Sequence, residues 1–399
     1  MKSIAEMIGM KPSETRQSLE PGAPGSRPAA SMKLLHFADL HLDTPFRWAP
    51  PGVARSRRKA LRETLTRICH LAANLGVDAL CCGGDLYEQD MFTPDTAEFL
   101  RTSFAELAPL RVFIAPGNHD WLGPTSLYRQ VTWTANVHIF DQGQLTPVEL
   151  ADGITLWGAA HRAPANTPGF LDGFRADRGG IHLALFHGSE QGDLAFQGDG
   201  KSPHAPFRAA QVPETGLDHA LLGHFHTPRD ADLYTYPGNP DPLTFGETGD
   251  RGAVLLHLAA DGSISRERHH VAVSKVADVT VDLTGITHSG HVGDRVLQAV
   301  AGLTGVVRVT LAGEIGPDVD LRLQDVESLP VPHLDALVVR LGRVFPGYDL
   351  EQLKSELTVR GQFVRDVLGS PELDEDQRRR VLVTGLRALA GRGSELEVA

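Results

Sequence analysis

Four strand-length apolar runs in this chain each stop at a residue able to bind a cation. They read Phe37-Ala38-Asp39-Leu40-His41, Cys82-Gly83-Gly84-Asp85, Pro116-Gly117-Asn118-His119-Asp120 and Leu221-Leu222-Gly223-His224-Phe225-His226. A fifth, Ile181–Phe186, runs into His187. Alternate residues of an extended chain share a face, so Asp39 with His41, and His224 with His226, can each reach one point. In open α/β sheets functional groups gather beyond the carboxyl ends of strands. The pattern therefore demands strands whose ends converge.

The segments between these runs support such a sheet. Ser56–Leu75 carries Leu61, Leu65, Ile68, Ala72 and Leu75 in a helical stripe closed by Gly76. Thr93 caps a second helix with Pro94 in its first turn. Strands at Lys33–Ala38, Asp78–Cys82 and Arg111–Ala115, separated by single helices, make βαβ units. Strands at Ile154–Ala159, Ile181–Phe186, His219–Leu222 and Gly252–Leu258 lack long helices between them, which predicts a second, mixed sheet. The fold class expected is α/β, a two-sheet β-sandwich flanked by helices.

At 399 residues the chain exceeds one ordinary core. Residues 1–31, rich in Pro, Gly and Ser, read as a disordered leader, with Met32 as a candidate start. Residues 32–271 hold the main domain. Residues 272–345 read as a small α/β domain from Val279–Leu283, a helix over Gly290–Leu303, and Val306–Leu311. Residues 346–399 read as a C-terminal helical segment, with Leu382, Leu386 and Leu389 forming an apolar stripe suited to docking a partner.

No apolar segment approaches the ~20 residues that span a bilayer, and Met1–Glu20 lacks a signal-peptide core. Cys69, Cys81 and Cys82 lack ligand spacing and read as buried thiols in a reducing cytoplasm. A net charge of −12 argues against holding nucleic acid by global charge. Bound cations at a carboxylate site would meet a phosphate locally instead. The run Arg55-Ser56-Arg57-Arg58-Lys59 is either a local basic patch or a solvated helix start.

Carboxylates, imidazoles and one amide form a mixed oxygen and nitrogen set suited to Mn, with Fe or Zn as alternatives. Mg prefers oxygen alone. Seven ligand-type residues exceed the need of one ion with an open position, so two ions sharing a carboxylate is the economical reading. Each motif alone is weak: Asp-x-His at a strand end or Gly-Asn-His-Asp at a turn is common. Their conjunction, in order, carries the reading. His161, His182, His204, His219 and the His269-His270 pair lack that context and read as structural or surface. Asp43 and Asp120 read as hydrogen-bond acceptors behind ligating or catalytic imidazoles. Gly200-Lys201-Ser202 is not a P-loop, because Ala195 stands where the first glycine belongs.

Taken together, Asp-x-His, Gly-Asp, Gly-Asn-His-Asp, His and Gly-His-x-His over about residues 33–260 resemble the calcineurin-like metallophosphoesterase superfamily. The resemblance implies one ion on Asp39, His41 and His226 and another on Asn118, His187 and His224. It further implies that Asp85 bridges the two ions. His119 would be the non-ligand histidine that assists the leaving oxygen. The segments Tyr236-Pro237-Gly238-Asn239-Pro240 and Phe245-Gly246-Glu247 are similar to those of DNA-repair nuclease subunits of the SbcD type. That likeness implies a DNA exonuclease with a small cap domain, a coiled-coil ATPase partner of SbcC type docked on the C-terminal helices, and homodimers like those of related proteins. One departure stands out: Glu88 occupies the position where some relatives have a phosphate-positioning histidine. The expected activity is Mn-dependent, two-metal hydrolysis of DNA phosphodiesters. The alternatives are a small-nucleotide phosphodiesterase, or an interaction subunit that tethers an ATPase to DNA.

Overall fold

In the computed structural model the described residues are 31–176, 179–192, 203–247 and 249–391. Met1–Ala30, Gly200-Lys201-Ser202 and the last eight residues of the C-terminal segment lie outside them. The strands run β1 (Met32–Phe37), β2 (Ala79–Cys82), β3 (Arg111–Ile114), β4 (Val137–Ile139) and β5 (Thr146–Ala151). They continue β6 (Ile154–Gly158), β7 (Ile181–His187), β8 (His219–Gly223), β9 (Arg229–Asp230) and β10 (Tyr234–Tyr236). The remainder are β11 (Gly252–Leu258), β12 (Ile264–His270), β13 (Val276–Asp282), β14 (Gly305–Ile315) and β15 (Leu334–Pro346).

The first sheet has the order β12-β11-β1-β2-β3-β4, and the second β5-β6-β7-β8-β10-β9. Strands β1 to β4 run parallel, while β11 and β12 close the sheet antiparallel. In the second sheet β6, β7, β8 and β10 are parallel, with antiparallel β5 and β9 at its edges. The expected two-sheet sandwich with outer helices is the observed architecture, except that Gly252–Leu258, expected in the second sheet, is β11 of the first and pairs with β1.

Its layers follow from strand alternation. Leu35 and Phe37 of β1 pack outward under helix Pro51–Leu75, alongside Leu61, Leu65 and Ile68. Leu34 faces inward with Leu183, Leu185 and Leu221 of the second sheet. His36 lies on the same inner face and donates from Nε2 to the Leu222 carbonyl oxygen of β8 at 2.9 Å, a polar tie across the sandwich. Helix Pro51–Leu75 begins five residues before the expected Ser56, because Pro51 at its first position has a φ already suited to a helix. Arg57, in the basic run, is buried against the Pro242 carbonyl and Asp241 and lies over the Phe46 ring, so that residue is a structural cation.

Beyond the sandwich, β13-β14-β15 form a parallel three-stranded sheet. Helix Gly290–Val300 covers it, and together they enclose a separate apolar cluster around Val281, Val296, Val309 and Leu311. Helices Leu350–Ser355, Val359–Gly369 and Glu375–Leu389 follow around Leu353, Val364, Leu382 and Leu386. No helix among the described residues is long and apolar enough to cross a membrane.

Candidate metal centre

Five loops at the carboxyl ends of β1, β2, β3, β7 and β8 carry the predicted ligands to one point. The two sheets can meet there because Gly83 and Gly223 touch backbone to backbone. A Cβ on Gly83 would lie 2.9 Å from the Gly223 nitrogen, and one on Gly223 would collide with the Gly83 carbonyl. Non-glycine residues adopt positive φ where the ligands turn inward: Asp39 at 55°, His41 at 50°, Asp85 at 51° and His224 at 116°. Such conformations cost on the order of 1–3 kcal/mol each and persist where surrounding contacts over-determine them. Here the Asp39 and His41 amides donate to the Gly84 and Asp85 carbonyls, both at 2.9 Å. The His224 amide donates to Asp39 Oδ1 at 2.9 Å.

The side chains converge in three overlapping groups, one of them His41, Glu88 and His119 at the solvent edge. Donor atoms of Asp39, His41 and His226 lie within 4.8 Å of one another, as do those of Asp39, Asp85 and His187. Nε2 of His41 and Nε2 of His226 are 3.2 Å apart, and His187 Nε2 lies 3.3 Å from His224 Nδ1 and 3.1 Å from Asn118 Oδ1. Asp85 Oδ2 stands between the groups, 3.2 Å from His187 Nε2 and 3.7 Å from His41 Nε2. All seven predicted ligands are therefore brought together.

The donor set fits cations. Nδ1–H of His41 donates to Glu88 Oε1 at 2.8 Å, that of His226 to Glu247 Oε1 at 2.9 Å, and that of His187 to the Gly83 carbonyl at 2.9 Å. Each Nε2 lone pair then points inward, where neutral imidazoles alone would face lone pair to lone pair. Nitrogens that ligate one ion at ~2.0–2.1 Å sit at about this N···N separation. The electrostatics agree. Burial opposes charge on His187, but Asp85 and Asp39 outweigh it and push the imidazole up to about 9. Burial would likewise raise Asp85, yet the charges of His187 and His119 hold it well below the carboxylate range. A cluster that draws a proton so strongly draws a metal ion by the same field.

His119 stands at the edge, its side chain 44% exposed. Its amide donates to Asp85 Oδ1 at 2.8 Å, and its Nδ1–H donates to Glu88 Oε2 at 2.9 Å. Burial lowers the affinity of this imidazole for a proton, but Asp85 and the Glu88 hydrogen bond prevail and raise it to about 9. Burial disfavours the Glu88 carboxylate too, but His119 and His41 hold it at about 2.

The expectation for Asp43 and Asp120 is corrected. Neither carboxylate is hydrogen-bonded to an imidazole among the described residues. Asp120 accepts the backbone N–H groups of Asp85, Leu86 and Gly117 and the Tyr128 hydroxyl, and so clamps two ligand loops together. Asp43 accepts from Thr96 Oγ1. An Asp directly after His119 is aimed by its turn at local amides. The imidazole acceptors are Glu88 and Glu247, which sequence reasoning missed in that role. Their signals were present: Glu88 three residues after Asp85, and Glu247 closing Phe245-Gly246-Glu247. His161, read as structural, sits directly behind the site and donates from Nε2 to the His187 carbonyl at 2.7 Å.

Residues 32–228 match the model of the calcineurin-like phosphoesterases, and this part of the chain belongs to the calcineurin-like metallophosphoesterase superfamily. Members typically bind two divalent metal ions, which agrees with the clustered donor atoms found here.

The chain is similar to the uncharacterized metallophosphoesterase YhaO of Bacillus subtilis, with 28% identity over 62% of this chain and 64% of that protein. It is also similar to the DNA double-strand break repair protein Mre11 of Methanopyrus kandleri, with 26% identity over 64% of this chain and 60% of that one. The chain thus matches less than two thirds of either relative's length.

Proposed function

We propose that the protein is a Mn-dependent phosphodiesterase acting on DNA, as an exonuclease in repair. The observation carrying this reading is the pair of donor groups that overlap at Asp39, with Asp85 Oδ2 between His187 and His41, which suits two ions at one phosphoryl group. In this reading Asp39, His41 and His226 would hold one ion, Asn118, His187 and His224 would hold the other, and Asp85 would serve both. The ions would supply Lewis acidity at phosphorus and a water of lowered pKa. His119 would donate from Nε2 to the departing oxygen while Glu88 fixes its Nδ1. The relative named for DNA double-strand break repair supports DNA as substrate, as do the segments that follow the last motif.

The deciding assay incubates the purified protein with labelled single- and double-stranded DNA, with and without Mn. Mn-dependent shortening of the strands is expected, and intact DNA at every Mn concentration defeats the reading. One observation favours a second reading. Glu88 is engaged by two imidazoles, so it offers the phosphate no cationic contact where some relatives have histidine. Faster turnover of cyclic nucleotides than of linear DNA would then make this a small-nucleotide phosphodiesterase.

A coiled-coil ATPase of SbcC type is the partner proposed. Leu357 and Val359, 98% and 75% exposed on either side of the N-cap Thr358 of the second C-terminal helix, support a docking role. Full biological activity of Asp85→Asn would shift the weight from catalysis to tethering.

A further inference from the structure

The strap between β10 and β11 contains a carboxylate that the proposed reaction does not use. Glu247 Oε1 accepts from His226 Nδ1 at 2.9 Å. Its other oxygen, Oε2, is saturated by three donors: Asn239 Nδ2 at 2.7 Å, the Leu243 amide at 2.6 Å and the Thr244 amide at 3.3 Å. Arg251 ties this strap to the ligand loop after β8, donating to the carbonyl oxygens of Glu247 and His226 at 2.8 Å each. The carboxylate therefore cannot rotate without abandoning main-chain amides.

We propose that Glu247 is the positioning residue for the first ion, because it locks His226 in the tautomer whose Nε2 lone pair faces Asp39 and His41. The inference rests on the reading that His226 holds an ion. Its force lies in an asymmetry of hydrogen-bond chemistry. A carboxylate accepts at both oxygens, so it satisfies the strap donors and still receives the Nδ1–H. A glutamine has one acceptor. In Glu247→Gln the three strap donors claim that oxygen, and the amide NH2 is turned on His226 Nδ1. The imidazole must then carry its proton on Nε2, the atom required for the ion. Alanine leaves Nδ1–H to water and imposes no tautomer.

A purely structural role ranks the variants in one order and tautomer control in another. For structure alone, isosteric Gln is the mildest change and Ala the harshest. For tautomer control, affinity for the first ion falls from wild type through Asp to Ala, with Gln lowest. The test titrates MnCl2 into the metal-free full chain by calorimetry, with metal-free melting curves as a control on folding. The expected result is roughly 10–100-fold weaker first-site binding in Glu247→Gln, a near-normal second site, and recovery of most of the affinity in Glu247→Asp.

Equal affinities in Gln and wild type, or Gln binding better than Ala, overturn the proposal. If the Gln variant does not fold, Asp against Ala decides: loss confined to one site in Ala and restored in Asp supports it, and equal binding by the two overturns it. Wild-type protein that takes up no Mn defeats the ion-holding reading itself, and this proposal with it. That outcome is distinct from two-site binding that ignores residue 247.

Discussion

His119 and Asp120 are neighbours with opposite duties, and substitutions should separate them. His119 faces the solvent edge and its imidazole ligates nothing in the proposed scheme. His119→Ala is expected to lower turnover by roughly 10²–10⁴-fold while metal analysis still finds two ions per chain. Loss of both ions would refute its role. Asp120 is wholly buried and receives three amides and a hydroxyl. In Asp120→Asn the amide NH2 opposes those donors, and each buried group left unsatisfied costs about 1–3 kcal/mol. Thermal melts should show a clear fall in Tm, and metal content should fall with it, because Asp85 and Gly117 lose their common anchor. For Glu88→Gln, one acceptor must serve two imidazoles, so metal affinity and turnover should both decline, which parallel calorimetry and kinetics would separate.

The strands that carry ligands were legible in the sequence because their information is local. An apolar run, a glycine and a ligand-type residue fix strand, turn and chemistry within a few positions, as in Leu221–His226. Elements at sheet edges were not. Strand β12 alternates half-buried and exposed residues through Ile264-Ser265-Arg266-Glu267, and β15 is interrupted by Arg340, Gly342 and Arg343. Neither contains the continuous apolar run of a central strand. The partners of the imidazoles escaped for a different reason: Glu88 lies 47 residues from His41, and only the folded sheets bring them together.

The tie between the sheets gives a pH prediction. Burial pushes the His36 imidazole down to about 4, and that of His219 on β8 to about 3. Both are neutral in the folded protein, while their unfolded values lie near 6.5. The unfolded chain therefore binds more protons between these limits. The contribution of these two imidazoles to stability is complete above pH 6.5 and is lost as pH falls toward 4, by about 1.4 kcal/mol per pH unit for each. Urea unfolding at pH 7 and pH 4.5 should record that loss, and His36→Gln should reduce its slope by one proton's share.

Metal binding should strengthen the folded molecule as a whole, since an ion held only by the converged ligands stabilises the folded state over the unfolded chain. Binding at a hundred times Kd contributes about 2.7 kcal/mol, so a chelator should lower Tm and Mn should restore it. The three-stranded sheet bears on the same centre. Phe245, two residues before Glu247, has its ring centroid 4.6 Å from that of Trp48 in the loop after His41, and the Arg308 guanidinium of β14 lies 4.5 Å from the same centroid. Asp241, earlier in the strap, accepts the amides of Val273 and Ser274, where the chain leaves the sandwich. A core fragment ending near Lys275 would therefore keep its layers yet leave one aromatic surface bare beside the strap. Such an excised enzyme should be folded but hungry for higher metal concentrations, and supplying the missing piece in trans should lower its appetite.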